Sequence, residues 1–381
     1  MPRPDRYYKF LSTCLSGTAQ PHPEELIREI NSPDWDWEHL VRIAAGEKVL
    51  PTLYGRMREL GVASQLPADI SEFFCALEEL SFERNQAILA ELAAVGTLLN
   101  SIGIEPVLLK GSAYLLSGVY SDIASRLLAD IDLLVPSAAL LSVVDVLRRS
   151  GYEEDYRDPF PSLSHHHPML RRSNGPGLEL HHTLGLGVCP AILSATEMLS
   201  NSQPHEFRGA RFRLPSPAHL VTHQIMHSQV HHHYSERIWP SLRTMYDLSL
   251  TASHFGDAIN WSSVQDRFRQ NRRSAIFTLH LSIIRDVLGT DVPGVAIKGA
   301  LTRLRWHRRK ALRSFPALRC LDPAYLFSST VPWRVGRLRH MLKAPGGIRH
   351  ALMTPLRRSF YQHLMQELKQ LPGNQIFGND G

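Results

Sequence analysis

Cysteine is sparse in this chain: four residues (Cys14, Cys75, Cys189, Cys320) stand far apart in 381, with no CxxC or other ligand spacing. That argues against a disulfide framework and suits a reducing cytoplasm. Long hydrophobic runs are missing as well. No stretch of 18 apolar residues occurs, so no membrane-spanning helix is expected. The first residues, MPRPDRYYKFLSTCLSG, lack an uninterrupted apolar core and a cleavage site, so no signal peptide is read there. Acidic residues are almost absent from one region. Between Lys298 and Arg358 there are 15 Lys or Arg against the single acid Asp322, although the whole chain carries only +6. The rest of the chain is therefore net negative. Such a basic segment can face nucleic acid, nucleotide phosphates or an acidic partner.

What is present is an ordinary globular composition, 43% apolar and 20% charged, long enough for two or three cores. The informative stretch is Pro106–Pro136, PVLLKGSAYLLSGVYSDIASRLLADIDLLVP. Pro106–Leu109 reads as a short buried strand. Lys110-Gly111-Ser112 reads as a tight glycine turn whose backbone N–H groups can hold phosphate, followed by a helix over Ala113–Tyr120. Asp130-Ile131-Asp132-Leu133 reads as a strand with both carboxylates on one face and Ile131 and Leu133 in the core. Two carboxylates so placed repel each other unless a cation sits between them. Mg²⁺, which takes hard oxygen ligands and leaves positions for phosphates, meets that need. A half-exposed strand with both Asp facing water gives the same local pattern.

These residues resemble the nucleotidyltransferase superfamily typified by DNA polymerase beta, whose motif is an apolar residue, Gly, Gly or Ser, then a strand with Asp-x-Asp. The run LLKG, Arg126 and DIDLLV is more closely similar to a bacterial group of uncharacterised nucleotidyltransferases. Nineteen positions separate Gly111 from Asp130, a longer gap than many superfamily members show, with room for a loop carrying Arg126. The resemblance implies an α+β fold. A polymerase-beta-like core, a small mixed sheet with helices, would be flanked by helical regions at both ends.

The expected organisation is a helical region over 1–100, the core over 101–215, a helical and basic region over 216–371, and a flexible tail over 372–381. Within 1–100, Ser32 or Asp34 is the expected cap of a helix beginning near Trp35, and Pro51 opens another. Ile70–Leu99 reads as a long amphipathic helix in which Asn85 is a solvated position. In the core, Ser137–Gly151 reads as a helix with Leu140, Leu141, Val144, Val146 and Leu147 inward. A polar loop over Tyr152–Ser164 follows. His165–Arg171 and Leu178–Thr183 then form a hairpin through Ser173–Gly177. Glu179 and His181 share one face of the second strand. The superfamily draws a third carboxylate from a neighbouring strand. Glu179 fits that place, with Glu153, Glu154 and Asp155 as rivals from the loop.

His219, His223, His227 and His231 recur every four residues. A neighbouring pair can share a metal, though polar histidines lining a cleft give the same spacing. In the resembling group a His-rich helix and a helix with Arg and Asp, matched by Arg243 and Asp247, cover the nucleotide. The chemistry implied is transfer of a nucleotidyl group from an NTP such as ATP to an acceptor on a small molecule, peptide or protein. Asp130, Asp132 and Glu179 would be catalytic ligands of two Mg²⁺, or of Mn²⁺. Lys110, Gly111, Ser112, Arg126, His181, His227 and Asp247 would bind the nucleotide.

The alternative is a nucleic-acid-binding or RNA-modifying protein that keeps this fold and uses the basic segment, whose Trp306, Phe315, Tyr325, Trp333 and Phe360 are interleaved with cations. Such binding falls steeply between two salt concentrations, because each neutralised phosphate releases counterions, and it survives substitution of Asp130 and Asp132. Filter binding with short RNA and DNA checks this, and no retention at low salt removes the alternative.

Overall fold

The long apolar periodicity before Asn100 becomes one helix of 34 residues, and a seven-stranded sheet is built against its C-terminal half. The computed structural model describes residues 4–17, 22–154, 165–172, 175–231, 240–290, 292, 303–308 and 311. Most of the basic segment 298–358, Asp155, the turn residues Ser173 and Asn174, His232, His233 and the tail 372–381 lie outside them.

Helices α1 (Pro4–Leu15), α2 (Pro23–Ile30), α3 (Trp37–Gly46) and α4 (Leu50–Glu59) precede the long helix α5 (Ala68–Ser101). The cap of α3 is Asp36, which accepts from His39 N at 3.0 Å. Ser32 and Asp34 instead bond to each other one turn upstream. Pro51 lies in the first turn of α4, where its missing N–H has no helical acceptor to serve.

The remaining elements in order are β1 (Val107–Leu108), α6 (Lys110–Leu116), β2 (Asp130–Leu134), α7 (Leu140–Arg149), β3 (Glu153–Glu154), β4 (Leu170–Arg171) and β5 (Gly177–His181). They are followed by α8 (Cys189–Ile192), α9 (Ala195–Ser200), β6 (Gln203–Phe207), β7 (Ala210–Leu214), α10 (Pro217–Met226), α11 (Leu242–Phe255), α12 (Trp261–Gln270) and α13 (Ser274–Leu288). The sheet order is β3-β4-β5-β2-β1-β7-β6. β2 runs parallel to β5 and β1 parallel to β7, while the other neighbours are antiparallel. The fold is therefore mixed α+β.

Several expectations shift in detail. The helix after the glycine is α6, which starts at Lys110 rather than Ala113 and stops at Leu116, because Gly118 takes a left-handed φ of +77°. On α7 the inward face is Val143, Val144 and Leu147, and Leu141 is 80% exposed. One position of phase separates the two readings. The short edge strand β3 lies in the stretch expected to be loop. The hairpin β6–β7 was not foreseen, although Arg208 and Gly209, both at positive φ, form its turn between two alternating runs.

The sheet is fixed to α5 at one close approach. Gly96 faces β7, and a Cβ there would lie 2.3 Å from Phe212 Cζ and 2.9 Å from Ala210 Cβ. Both neighbours are fully buried and have nowhere to go. At the far end, α11 begins against α3: Ser241 caps it, and Glu47 Oε2 accepts from Leu242 N at 2.8 Å. Ser16, just past α1, donates to the carbonyl of Leu288 at the end of α13, so the first helix closes against α13.

Gly96→Ala forces backbone separation of α5 from β7, and a loss of about 1–3 kcal/mol is expected. Urea unfolding of the variant checks it by a lower midpoint at unchanged slope.

Candidate functional site

Strand β2 places Ile131 and Leu133 fully in the core and turns Asp130 and Asp132 to the opposite face. Its parallel partner β5 is in register so that Asp132 stands directly beside Glu179, and Leu134 beside His181. Glu179 and His181 are two residues apart on β5 and share the Asp132 face. His181 Nε2 donates to Asp132 Oδ1 at 2.9 Å and lies 3.4 Å from Glu179 Oε2. Lys110 Nζ reaches the same pair, 2.6 Å from Asp132 Oδ1 and 3.4 Å from Glu179 Oε2. Asp132 and His181 are almost wholly buried.

Lys110 is delivered by an unusual backbone. It has φ +45°, a conformation costly for a residue with a Cβ, at the junction of β1 and α6. The sequence reading gave the special conformation to Gly111; the structure gives it to Lys110. What Gly111 supplies is space, since a Cβ there would come within 2.6 Å of Arg126 Nη1 and 2.5 Å of Leu128 Cδ2. Ser112 is buried in the first turn of α6, and its Oγ has no hydrogen-bond partner among the described residues.

Arg126 joins a second cluster. Its Nε and Nη2 donate to Asp247 Oδ1 and Oδ2 at 2.9 and 3.0 Å, and Tyr120 Oη donates to Asp247 Oδ1 at 2.6 Å. The guanidinium also stacks over Tyr114 and Tyr120, 5.1 and 5.9 Å from the ring centroids. Arg126 and Asp247, both expected at the nucleotide, are thus paired with each other.

The loop carrying Arg126 is tied to α5. Ser81 Oγ donates to the Ala124 carbonyl (2.6 Å), and Arg84 donates to the Leu128 and Ala129 carbonyls (2.8 and 3.1 Å). Asn85 Nδ2 donates to the carbonyls of Ile123 and Arg126, and Asn85 Oδ1 accepts from Leu128 N at 2.9 Å. Asn85 is therefore not a solvated position; it is completely buried. Polar residues inside an apolar stripe, Ser81 and Asn85 four apart, were the available signal.

Glu154, a rival for the third carboxylate, lies on edge strand β3 and is engaged by Arg148 and by His167 Nε2 at 3.2 Å. Glu153 is on the same strand and exposed. His227 falls in a π-helical turn, His227–His231, that continues α10, with its ring 5.8 Å from that of His223. This turn breaks the four-residue spacing. His219 is held instead by Glu197 (3.4 Å) and Arg267 (3.3 Å) between α9 and α12.

The charges respond to one another. Burial, then Asp132 and Glu179, push the Asp130 carboxyl up to about 7 against the opposing pull of Lys110 and Arg243. Burial alone favours a neutral Glu179, but Lys110 and His181 hold its carboxyl well below the usual range. Burial likewise opposes charge on Lys110 and His181, and in each the carboxylates prevail and raise the pKa. Asp132, Glu179 and His181 each present one ligand atom, all within 4.8 Å of one another. Burial, and after it the neighbouring carboxylates, disfavour the charged form of Asp130, so a further positive charge would be favourable there. This donor set fits a divalent cation.

The fold and this cluster define an α+β protein with an acidic, lysine-bridged candidate metal centre on a mixed sheet. Residues 33–289 match the family described as "Uncharacterised nucleotidyltransferase", and the chain belongs to that family. Its structure is also similar to the crystal structure of an antigenic nucleotidyltransferase-like protein from Paracoccidioides brasiliensis. The two are 13% identical, with a TM-score of 0.34, over 54% of this chain and 94% of that one. No curated protein matches the chain. Among the described residues no helix is long and apolar enough to cross a membrane.

Asp130 supplies a pH prediction. A carboxyl raised from 3.8 to about 7 on folding holds a proton that the unfolded chain has lost, so stability falls as pH rises between these values. Asp130→Asn cannot ionise and escapes that loss. In chelator at pH 8 its Tm should exceed that of the wild type by about 2 °C or more, with the gap closing near pH 4; calorimetry at the two pH values checks it.

Proposed function

We propose that this protein is a divalent-cation-dependent nucleotidyltransferase. It moves NMP from an NTP to a hydroxyl or phosphate of a small molecule, peptide or protein and releases pyrophosphate. The observation that carries the reading is the register of β2 against β5, which sets Asp132 beside Glu179 with Lys110 bonded to both. The same reading assigns the core to the polymerase-beta-like arrangement, with the division near residues 100 and 215 given above.

In the reaction the acceptor oxygen forms a bond to the α-phosphorus while the bond from that phosphorus to the β-phosphate oxygen breaks. Pyrophosphate leaves with the electron pair, and the acceptor proton passes to a carboxylate. Asp130, Asp132 and Glu179 would hold the cation, Mg²⁺ or Mn²⁺, which when bound neutralises phosphate charge and acidifies the acceptor hydroxyl. Glu179, ionised beside Lys110 and His181, would be the proton acceptor, its basicity restored when Lys110 turns away to the triphosphate. Lys110, whose side chain is a quarter exposed, has the freedom to turn its ammonium toward the triphosphate. Ser112 Oγ, buried and unpartnered among the described residues, and the first backbone N–H groups of α6 would complete that grip. Arg126 supports Gly111 from behind and is oriented by Asp247. The two act on the nucleotide by fixing the start of α6. His227 and Arg243 belong to the helices placed over the nucleotide in this reading.

Asp130→Asn and Asp132→Asn should each remove cation-dependent NTP binding with the protein still folded. Glu179→Gln should lower turnover by about 100-fold or more while binding persists, since nucleophile activation acts in the transition state. Equilibrium dialysis with Mg·NTP and pyrophosphate release measure the two effects. Glu154→Gln combined with Asp155→Asn serves as the control; if the control alone abolishes turnover, the assignment of Glu179 is wrong.

A further inference from the structure

The candidate centre is not an all-oxygen site. His181 Nε2 lies 2.9 Å from Asp132 Oδ1 and 3.4 Å from Glu179 Oε2, while Asp130, on the same face of β2, is not one of the three residues whose ligand atoms cluster. Two donors bound at right angles to an ion about 2.1 Å away are themselves about 3.0 Å apart. Once it gives up the proton it donates to Asp132, which the entering ion displaces to solvent, the imidazole nitrogen stands at the spacing of an adjacent ligand of the same ion relative to either carboxylate. The ring is 1% exposed and lies in the register that β5 imposes, with the rings of His165 and His166 at 5.0 and 5.3 Å. Its Nδ1 has no hydrogen-bond partner among the described residues, which hold the ring through Nε2, the nitrogen facing the carboxylates.

We infer that Asp132, Glu179 and His181 form one mixed nitrogen–oxygen metal site selective for a divalent transition ion of the Fe²⁺, Co²⁺ or Zn²⁺ kind over Mg²⁺. The inference rests on the cation-dependent reading above and changes its cofactor. Imidazole is a good donor to such ions and a poor one to Mg²⁺, which keeps oxygen ligands and several waters. Lys110 Nζ shares Asp132 Oδ1 with His181. An ion takes over the neutralisation the ammonium provides, and Lys110 is then released toward phosphate. Asp130 remains beside the site as a further carboxylate for the cation carried by the nucleotide.

The test uses the full chain, nucleotide-free, with Co²⁺ and Mg²⁺ as probes. Calorimetric titration should show Co²⁺ bound at least ~100-fold more tightly than Mg²⁺ at the site lost in Asp132→Asn, and His181→Asn should weaken Co²⁺ at least ~10-fold with Mg²⁺ within ~3-fold. The Co²⁺-loaded wild type should also show a hyperfine-shifted, exchangeable imidazole N–H resonance that disappears in D₂O and in both variants. Co²⁺ held by other histidines persists in Asp132→Asn and is subtracted on that ground. If His181→Asn does not fold, His181→Gln replaces it, and the wild-type resonance is read without either. Metal binding that depends on Asp132 but shows no imidazole resonance, or equal affinity for the two ions, overturns the inference and leaves the nucleotidyltransferase reading standing. No binding of either ion sensitive to Asp132→Asn also overturns the inference, and the nucleotidyltransferase reading is then decided by the Mg·NTP dialysis above.

Discussion

The pairing register of β2 with β5 is the constraint on which the candidate site depends. Parallel strands set in this register bring Asp132 and Glu179 side by side. Like charges so placed in a buried setting are unfavourable unless cations accompany them. Lys110 from the β1–α6 junction and His181 from β5 supply that charge. A slip of one residue would turn the acids into the core and Ile131 and Leu133 outward, so the burial of those two apolar residues also secures the site.

Around this register the chain builds a support from distant segments. The loop between α6 and β2 contains Arg126, whose charge is satisfied by Asp247 on α11, more than a hundred residues later. Losing either partner would leave a buried unpaired charge, costing roughly 3–5 kcal/mol. On its other side the loop hangs from Ser81, Arg84 and Asn85 of α5 by backbone carbonyls. The long helix and the C-terminal helices therefore act on the site through one loop, and Gly111 is where that loop presses against the start of α6.

Much of this was legible from local pattern. Alternation in DIDLL predicted the strand and the shared face of its acids, and alternation in GLELH did the same for Glu179 and His181. The apolar period before Asn100 predicted α5 almost to its ends. Where the reading slipped, a local signal was ambiguous or outweighed. Leu141 is as apolar as Val143, and only packing decides which faces inward on α7. Asn85 looks solvated in any single-helix view, because its three backbone partners lie some forty residues further along the chain.

By itself the sequence determined the elements that carry the candidate site, because period-two and near-period-four patterns are set by the backbone geometry of strand and helix. It fixed which side chains share a face, and it placed a lysine, a glycine and a serine just ahead of an acidic strand. Tertiary structure decided who meets whom. It chose Glu179 as the carboxylate adjacent to β2 and left Glu154 to Arg148 and His167 on an edge strand. It joined Arg126 to Asp247, and it gave the left-handed backbone to Lys110 while reserving Gly111 for close approach. Strand order, register and the contacts of a loop arise from burying one shared core among segments far apart in the chain, and no local pattern encodes them.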